Sequence, residues 1–197
     1  MTIIVFDVGN VVVKADHNIT YTILQGYGVP KDKAKTFFDN EEYGEFSRGN
    51  IGGKSFYSAL IKKYLQTPLT FEQVVTAHNK HLCGIDEHVV QIVARLPSQN
   101  LVFLTDTNEW QTERERELID LRKYSRTIYR SHEIGMLKTD EACFPYLINQ
   151  LKVKPSEILL IDDGLEKIVK AQASGLQTIQ FLNSEQLLRD LKAKNLL

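Results

Sequence analysis

Three short apolar runs, residues 3–6, 101–104 and 158–161, constrain this chain more than any other feature. Each is an uninterrupted stretch of Ile, Val, Leu and Phe. Runs of that length and composition read as strands buried on both faces of a sheet. Each also stops on a polar, reactive residue: Asp7 after the first, Thr105 and Asp106 after the second, Asp162 and Asp163 after the third. Open parallel sheets collect ligands at the carboxyl ends of their strands. If the three runs lie parallel, their acids and hydroxyl arrive at one edge.

The rest of the pattern fits such a sheet. Between Asp16 and about His88 no segment carries a convincing strand signal. Residues 18–27 and 31–38 read as helices, 44–53 as a polar connection punctuated by glycine. Phe56, Leu60, Ile61 and Leu65 then recur at helical spacing, and Thr70 with Gln73 resembles a capping box. This block reads as a helical lobe inserted after the first strand. From Glu87 onward the pattern alternates between helix and strand, with a short strand at 127–129 and another at 178–182. Lys138 opens the helix that runs through Phe144, Leu147, Ile148 and Leu151. Alternation of this kind predicts an α/β fold, a Rossmann-like parallel sheet flanked by helices. The expected division is a core of residues 1–14 and 89–197 with a helical cap domain of residues 15–88.

Composition narrows the partners. Lys and Arg total 24 against 25 Asp and Glu, so a net charge of -1 gives no electrostatic case for nucleic acid. No apolar run approaches the roughly 20 residues that cross a bilayer. The first apolar run is broken by Asp7 and has no basic region before it, which predicts no signal peptide, no membrane partner and a cytoplasmic location. Cys83 and Cys143 stand alone, without metal or disulfide spacing, and are expected to be small buried hydrophobes. His78 and His81 share a helical face with no carboxylate at ligand spacing and are expected at the surface. Nothing in the pattern sets an oligomeric state.

Taken singly, the polar residues have plain structural readings. An Asp after a strand is often a helix N-cap, and a lone Lys is often solvated. An adjacent acid pair is more informative, because two carboxylates repel unless a cation or hydrogen bonds offset them. Together, three carboxylates, a hydroxyl and the Lys138 ammonium suggest a Mg²⁺ site that receives a phosphate. Mg²⁺ takes oxygen ligands in octahedral geometry, usually carboxylates, water and substrate phosphate.

These residues also carry a resemblance. Asp7-Val8-Gly9-Asn10-Val11 resembles the first motif of the haloacid dehalogenase-like (HAD) superfamily, and residues 101–105 resemble the second. Lys138 is similar to the third motif, and Ile161-Asp162-Asp163 to the fourth. Within the superfamily the chain resembles sugar phosphatases of the glucose-1-phosphatase type, to which Thr105-Asp106-Thr107-Asn108 and Ser47-Arg48-Gly49-Asn50-Ile51 are also similar. The resemblance implies a phosphatase for a small phosphorylated substrate such as a sugar phosphate, with Asp7 as nucleophile. It implies Thr105 and Lys138 as catalytic partners, and Asp106, Asn108 and Arg48 as substrate contacts. It implies a Mg²⁺ held by Asp7, the Gly9 carbonyl, Asp162 and Asp163.

Two departures stand out. Most phosphatases of the superfamily place a general acid–base Asp two residues after the nucleophile, where this chain has Gly9; His17 is a nearby titratable alternative. Lys167 stands where many relatives place an Asn or Asp, four residues after the metal Asp, either weakening support for the metal or lying on the helix surface. A catalytically weak ligand-binding relative and a 2-haloacid dehalogenase therefore stay open as alternative readings.

Overall fold

The structure, a computed structural model, describes residues 2–197. Strand β1 (Ile3–Phe6) enters a tight turn and leaves it as β2 (Val13–Ala15). In the turn the Val8 carbonyl accepts from the Val12 and Val13 N–H groups at 2.9 and 2.8 Å, while Asn10 takes a left-handed φ of 57°. Helices α1 (His17–Gly26), α2 (Lys31–Lys35), α3 (Glu41–Ser47), α4 (Gly53–Ala59) and α5 (Phe71–Asn79) follow. Helix α4 runs on into a π-helical turn over Leu60–Leu65. Strand β3 (Leu82–Ile85) then pairs antiparallel with β2, so the segments entering and leaving the helical lobe form one ribbon.

The remaining chain alternates: α6 (Glu87–Val93), β4 (Leu101–Thr105), α7 (Glu109–Leu118), β5 (Thr127–Arg130) and α8 (Ser131–Ile134). It finishes with α9 (Cys143–Leu151), β6 (Ile158–Asp162), α10 (Leu165–Ala173), β7 (Gln177–Gln180) and α11 (Ser184–Ala193). The main sheet has the order β5-β4-β1-β6-β7, and every neighbouring pair is parallel. The fold is therefore α/β, with a five-stranded parallel sheet between layers of helices.

The pleat explains why the three runs are apolar at every position. Ile4, Phe6, Phe103 and Ile161 face one layer, where Val89 and Ile92 of α6 and Leu187 and Leu191 of α11 cover them. Val5, Val102, Leu104 and Leu160 face the other, against Phe144 and Leu147 of α9 and Ala171 of α10. Successive side chains of a strand point to opposite faces, so two covered faces demand two apolar sets. Burying each such side chain stabilises by about 1.5–3 kcal/mol.

The helical lobe has its own apolar cluster, built on Leu24, Phe37, Phe46, Phe56, Leu60 and Val74. Trp110 of α7 joins it, edge-on to Phe46 at 4.8 Å between ring centroids. Gly53 permits that approach, because a Cβ there would lie 2.3 Å from Trp110 Nε1 and 2.6 Å from Glu109 Oε1.

Several sequence expectations give way. A strand, β3, lies inside the block read as purely helical; its Leu-Cys-Gly-Ile stretch pairs only because the insertion brings it back to β2. Cys83 sits on that ribbon exposed, with its Sγ 3.5 Å from the Lys14 carbonyl, whereas Cys143 is buried as expected. The connection read at 44–53 is partly helix α3, whose N-cap Asn40 accepts from the Tyr43 N–H at 2.8 Å. Lys138 lies in the loop ahead of α9 and does not open that helix.

His78 and His81 are also corrected: both are buried, at 0% and 1% exposure. The inward face of α5 is apolar apart from His78, and the aromatic cluster that covers it comes from segments distant in sequence. Gln111 fixes the state of His81. Its Oε1 accepts from the Asn108 N–H, so its Nε2 donates to His81 Nε2 at 3.0 Å. The proton of His81 is then on Nδ1, donated to the His78 carbonyl. Burial pushes the His81 pKa down to about 4 from 6.5, and burial likewise lowers His78.

A depressed histidine makes the unfolded chain bind the proton first, so stability is complete above pH 6.5 and declines as pH falls toward 4. For His81 the loss amounts to about 2 kcal/mol by pH 5. Melting curves between pH 7.5 and 5 are expected to show this decline, and His81→Gln to flatten it. An unchanged melting temperature across that range would contradict the burial of a neutral His81.

Candidate active site

The sheet brings its reactive residues together at the carboxyl end of β1, between β4 on one side and β6 on the other. This is where successive crossovers diverge and leave a crevice. Register does the rest. Phe6 is paired with Ile161, and the Asp7 N–H donates to the Ile161 carbonyl at 2.9 Å, so Asp7 and Asp162 emerge side by side. Asp163 follows in the turn, and one oxygen of each of Asp7, Asp162 and Asp163 lies within 4.8 Å of the others.

A single buried ammonium joins two of these acids. Lys138 Nζ is 2.7 Å from Asp7 Oδ1 and 2.5 Å from Asp162 Oδ2, and its side chain has no exposed surface. Asp106, at the end of β4, holds the backbone of this lysine: its Oδ1 accepts from the Lys138 N–H at 2.8 Å. Asp162 is further tied by the Gly164 N–H, which donates to its Oδ1 at 2.8 Å.

The second cation is Lys167, from the first turn of α10. Its Nζ stands 3.6 Å from Asp7 Oδ2, 3.7 Å from Asp106 Oδ2 and 3.7 Å from Asp162 Oδ1. Burial by itself would raise the Asp7 carboxyl, but Lys138, Lys167 and the Val8 N–H hold it below its ordinary value. Burial and the Asp7 charge push Asp162 up. Burial would lower Lys138, yet Asp7 and Asp162 raise it well above the usual lysine range. Asp7 is thus an ionised carboxylate in a nearly dry setting.

Above these groups opens a cavity of about 690 Å³. Asp7, Gly9, Asp106, Asp163 and Lys167 line one side of it; His17, Phe38, Asp39, Glu41 and Tyr43 line the side toward the helical lobe. Lys138 and Asp162 lie beneath its floor. Asp7 and Asp163 thus combine oxygen donors with access to the cavity, the donor chemistry Mg²⁺ prefers. One oxygen of each of Asp7, Asp162 and Asp163 lies within 4.8 Å of the others, near enough together for a single ion to reach them.

Thr105, Asn108 and Arg48 do not themselves line this cavity, though the Thr105 crevice shares Gly9 and Asp106 with it. Thr105 closes β4 and borders a small crevice of about 30 Å³ shared with Val8 and Gly9. Asn108 is fully buried and caps α7, its side chain accepting from the Gln111 N–H at 3.0 Å. The guanidinium of Arg48 is taken up by Asp140, at 2.8 and 2.7 Å. Lys167 points into the acidic cluster and not to the helix surface. His17 lines the cavity with its ring stacked on Phe38 at 3.9 Å. Asp39, Glu41 and His81 were not singled out as cavity residues in the sequence; a lobe folded back over the sheet edge leaves no local signal of which residues face it.

Known proteins resemble the chain over most of its length. A D-ribitol-5-phosphate phosphatase from Bacteroides thetaiotaomicron is 25% identical over 186 residues, covering 90% of each chain. The chain is 23% identical over 128 residues to the bifunctional epoxide hydrolase 2 of Mus musculus, and this match covers 22% of that longer protein. Among solved structures, a HAD family enzyme from B. thetaiotaomicron in complex with magnesium superposes with a TM-score of 0.85 at 18% identity, covering 96% of this chain and 98% of that one. A predicted HAD-like family hydrolase from Porphyromonas gingivalis gives 0.82 at 23% identity, with 97% of each chain covered. The family profile described as haloacid dehalogenase-like hydrolase matches residues 4–181. With that match spanning both the sheet and the helical lobe, the chain belongs to the haloacid dehalogenase-like hydrolase family.

Proposed function

We propose that the chain is a Mg²⁺-dependent phosphatase acting on small, hydroxyl-rich phosphomonoesters through a phosphorylated Asp7. The observation that carries this reading is the Asp7 carboxylate, ionised, pinned by Lys138 through one oxygen and opening on the cavity beside Asp163. The D-ribitol-5-phosphate phosphatase relative, and the structural neighbour solved with magnesium, support it.

In this reading Asp7 Oδ attacks phosphorus, the bond from phosphorus to the ester oxygen breaks, and the departing alkoxide takes its proton from water. Water then attacks the aspartyl phosphate, releasing inorganic phosphate and restoring the carboxylate. Asp7, Asp163 and the Gly9 carbonyl would hold the metal, with Asp162 supporting them. When bound, the metal supplies positive charge to the phosphoryl oxygens. Lys138 offsets the negative charge that Asp7 and the phosphoryl group bring together, and Thr105 donates to that group. Positioning and electrostatics of this kind carry most of the work in phosphoryl transfer. Residues 15–88 act as the cap, with the β2–β3 ribbon as its base.

The cap side of the cavity supports the substrate class. Asp39, Glu41, Tyr43, Ser47 and His17 offer acceptors and donors, and among the described lining residues Lys167 is the one Lys or Arg. Hydroxyl groups suit that wall, whereas a second phosphate or a carboxylate meets Asp39 and Glu41.

Three outcomes follow from this reading. Asp7→Asn is expected to lower kcat by at least about 10³-fold, with an unchanged circular dichroism spectrum; a fully active variant would end the proposal. In a substrate panel, neutral polyol monophosphates should exceed bisphosphates by about tenfold or more in kcat/KM, and Glu41→Gln should narrow that gap. Gly9 lacks a proton-donating side chain although a Cβ there would meet nothing within 4 Å. Gly9→Asp should therefore raise turnover of alkyl phosphates by about 10²-fold and change p-nitrophenyl phosphate little, because that leaving group needs no proton. Equal effects on both substrates would contradict a missing general acid.

A further inference from the structure

Lys167 is an unusual neighbour for a divalent-cation site. It approaches carboxylates from three strand ends, Asp7 after β1, Asp106 after β4 and Asp162 at the end of β6, at 3.6–3.7 Å each. None of these is a short hydrogen bond, in contrast to the 2.5 and 2.7 Å contacts of Lys138. The ammonium therefore sits in the middle of the acids as a loosely held counter-ion. Its stem lies across Gly164, where a Cβ would come within 3.2 Å of Lys167 Cδ and 3.4 Å of Cε. The side chain keeps 23% of its surface exposed and lines the cavity, so it has somewhere to go.

From this geometry we infer that Lys167 is a resident cation of the carboxylate cradle that competes with Mg²⁺ and sets a weak affinity for it. The inference rests on the reading above in which Asp7 and Asp163 hold the metal. Four acids, Asp7, Asp106, Asp162 and Asp163, face two ammonium groups, Lys138 and Lys167. A divalent ion reaching Asp7 Oδ2 comes close to the Lys167 charge and has to push it toward the cavity. Like charges at such separations repel strongly wherever water is scarce. Lys138 does not compete in this way: it takes the other Asp7 oxygen and lies wholly beneath the floor.

The test is calorimetric titration of the full chain with Mg²⁺ at fixed pH and ionic strength. Lys167→Met and Lys167→Gln are expected to tighten the Kd by about tenfold or more, and Lys167→Arg to leave it within about threefold. The Mg²⁺-induced rise in melting temperature should grow in the same order, and Asp163→Asn should abolish binding in every background. Should Lys167→Met not fold in metal-free buffer, Lys167→Gln carries the comparison. Equal or weaker binding by the uncharged variants would overturn the inference and leave the metal reading intact. No Mg²⁺ binding by any form, the unaltered chain included, would overturn both.

Discussion

Everything in the site depends on one buried ammonium. The β1–β6 register forces Asp7 and Asp162 to emerge as neighbours, at 2% and 0% exposure, where two ionised carboxylates could not coexist unaided. Lys138 lies against both and makes the pair tolerable. Such a triad is a poor source of stability, since the desolvation of three charges takes back most of what their attraction gives. Its consequence is geometric: it nails the loop between α8 and α9 to two strand ends. Asp106 clamps the backbone of the same lysine from a third strand.

The helical lobe is anchored to the same loop. Arg48, the C-cap of α3, forks onto Asp140, and Asp140 Oδ2 also accepts from the Leu137 N–H at 2.8 Å. Planar two-pronged pairs of this kind fix orientation as well as distance. On the opposite side Trp110 reaches from α7 into the lobe's aromatic cluster, and Gln111 beside it holds His81. The lobe is thus held by the β2–β3 ribbon, by an ion pair to the Lys138 loop and by the first turn of α7.

Much of this was legible in the residues. Strands covered on both faces demand unbroken apolar runs, so residues 3–6, 101–104 and 158–161 announced the centre of the sheet. The acids that close those runs announced the reactive edge, because strand ends are where a parallel sheet leaves backbone and side chains free. Lys138 was recognisable only by its order in the chain, since a lysine in a loop carries no local mark of burial. Where the reading failed, the missing information was non-local. His78 and His81 look like surface residues on an amphipathic helix until aromatic rings from other segments cover them. Asn108 and Arg48 also take partners in the fold: the Asn108 Oδ1 accepts from the Gln111 N–H as a helix cap, and Arg48 forks onto Asp140.

The sequence by itself determined the α/β class, the inserted helical lobe and the set of acids at the strand ends, because each follows from a pattern of period or order along the chain. Tertiary structure alone decided which of those groups face the cavity and which lie under it. It sank Lys138 and Asp162 beneath the floor, and it turned the Lys167 side chain of α10 into the midst of three carboxylates. The reason is that charge and burial at a site are sums over neighbours brought from four or five distant segments. No window of sequence contains those sums until the chain has folded.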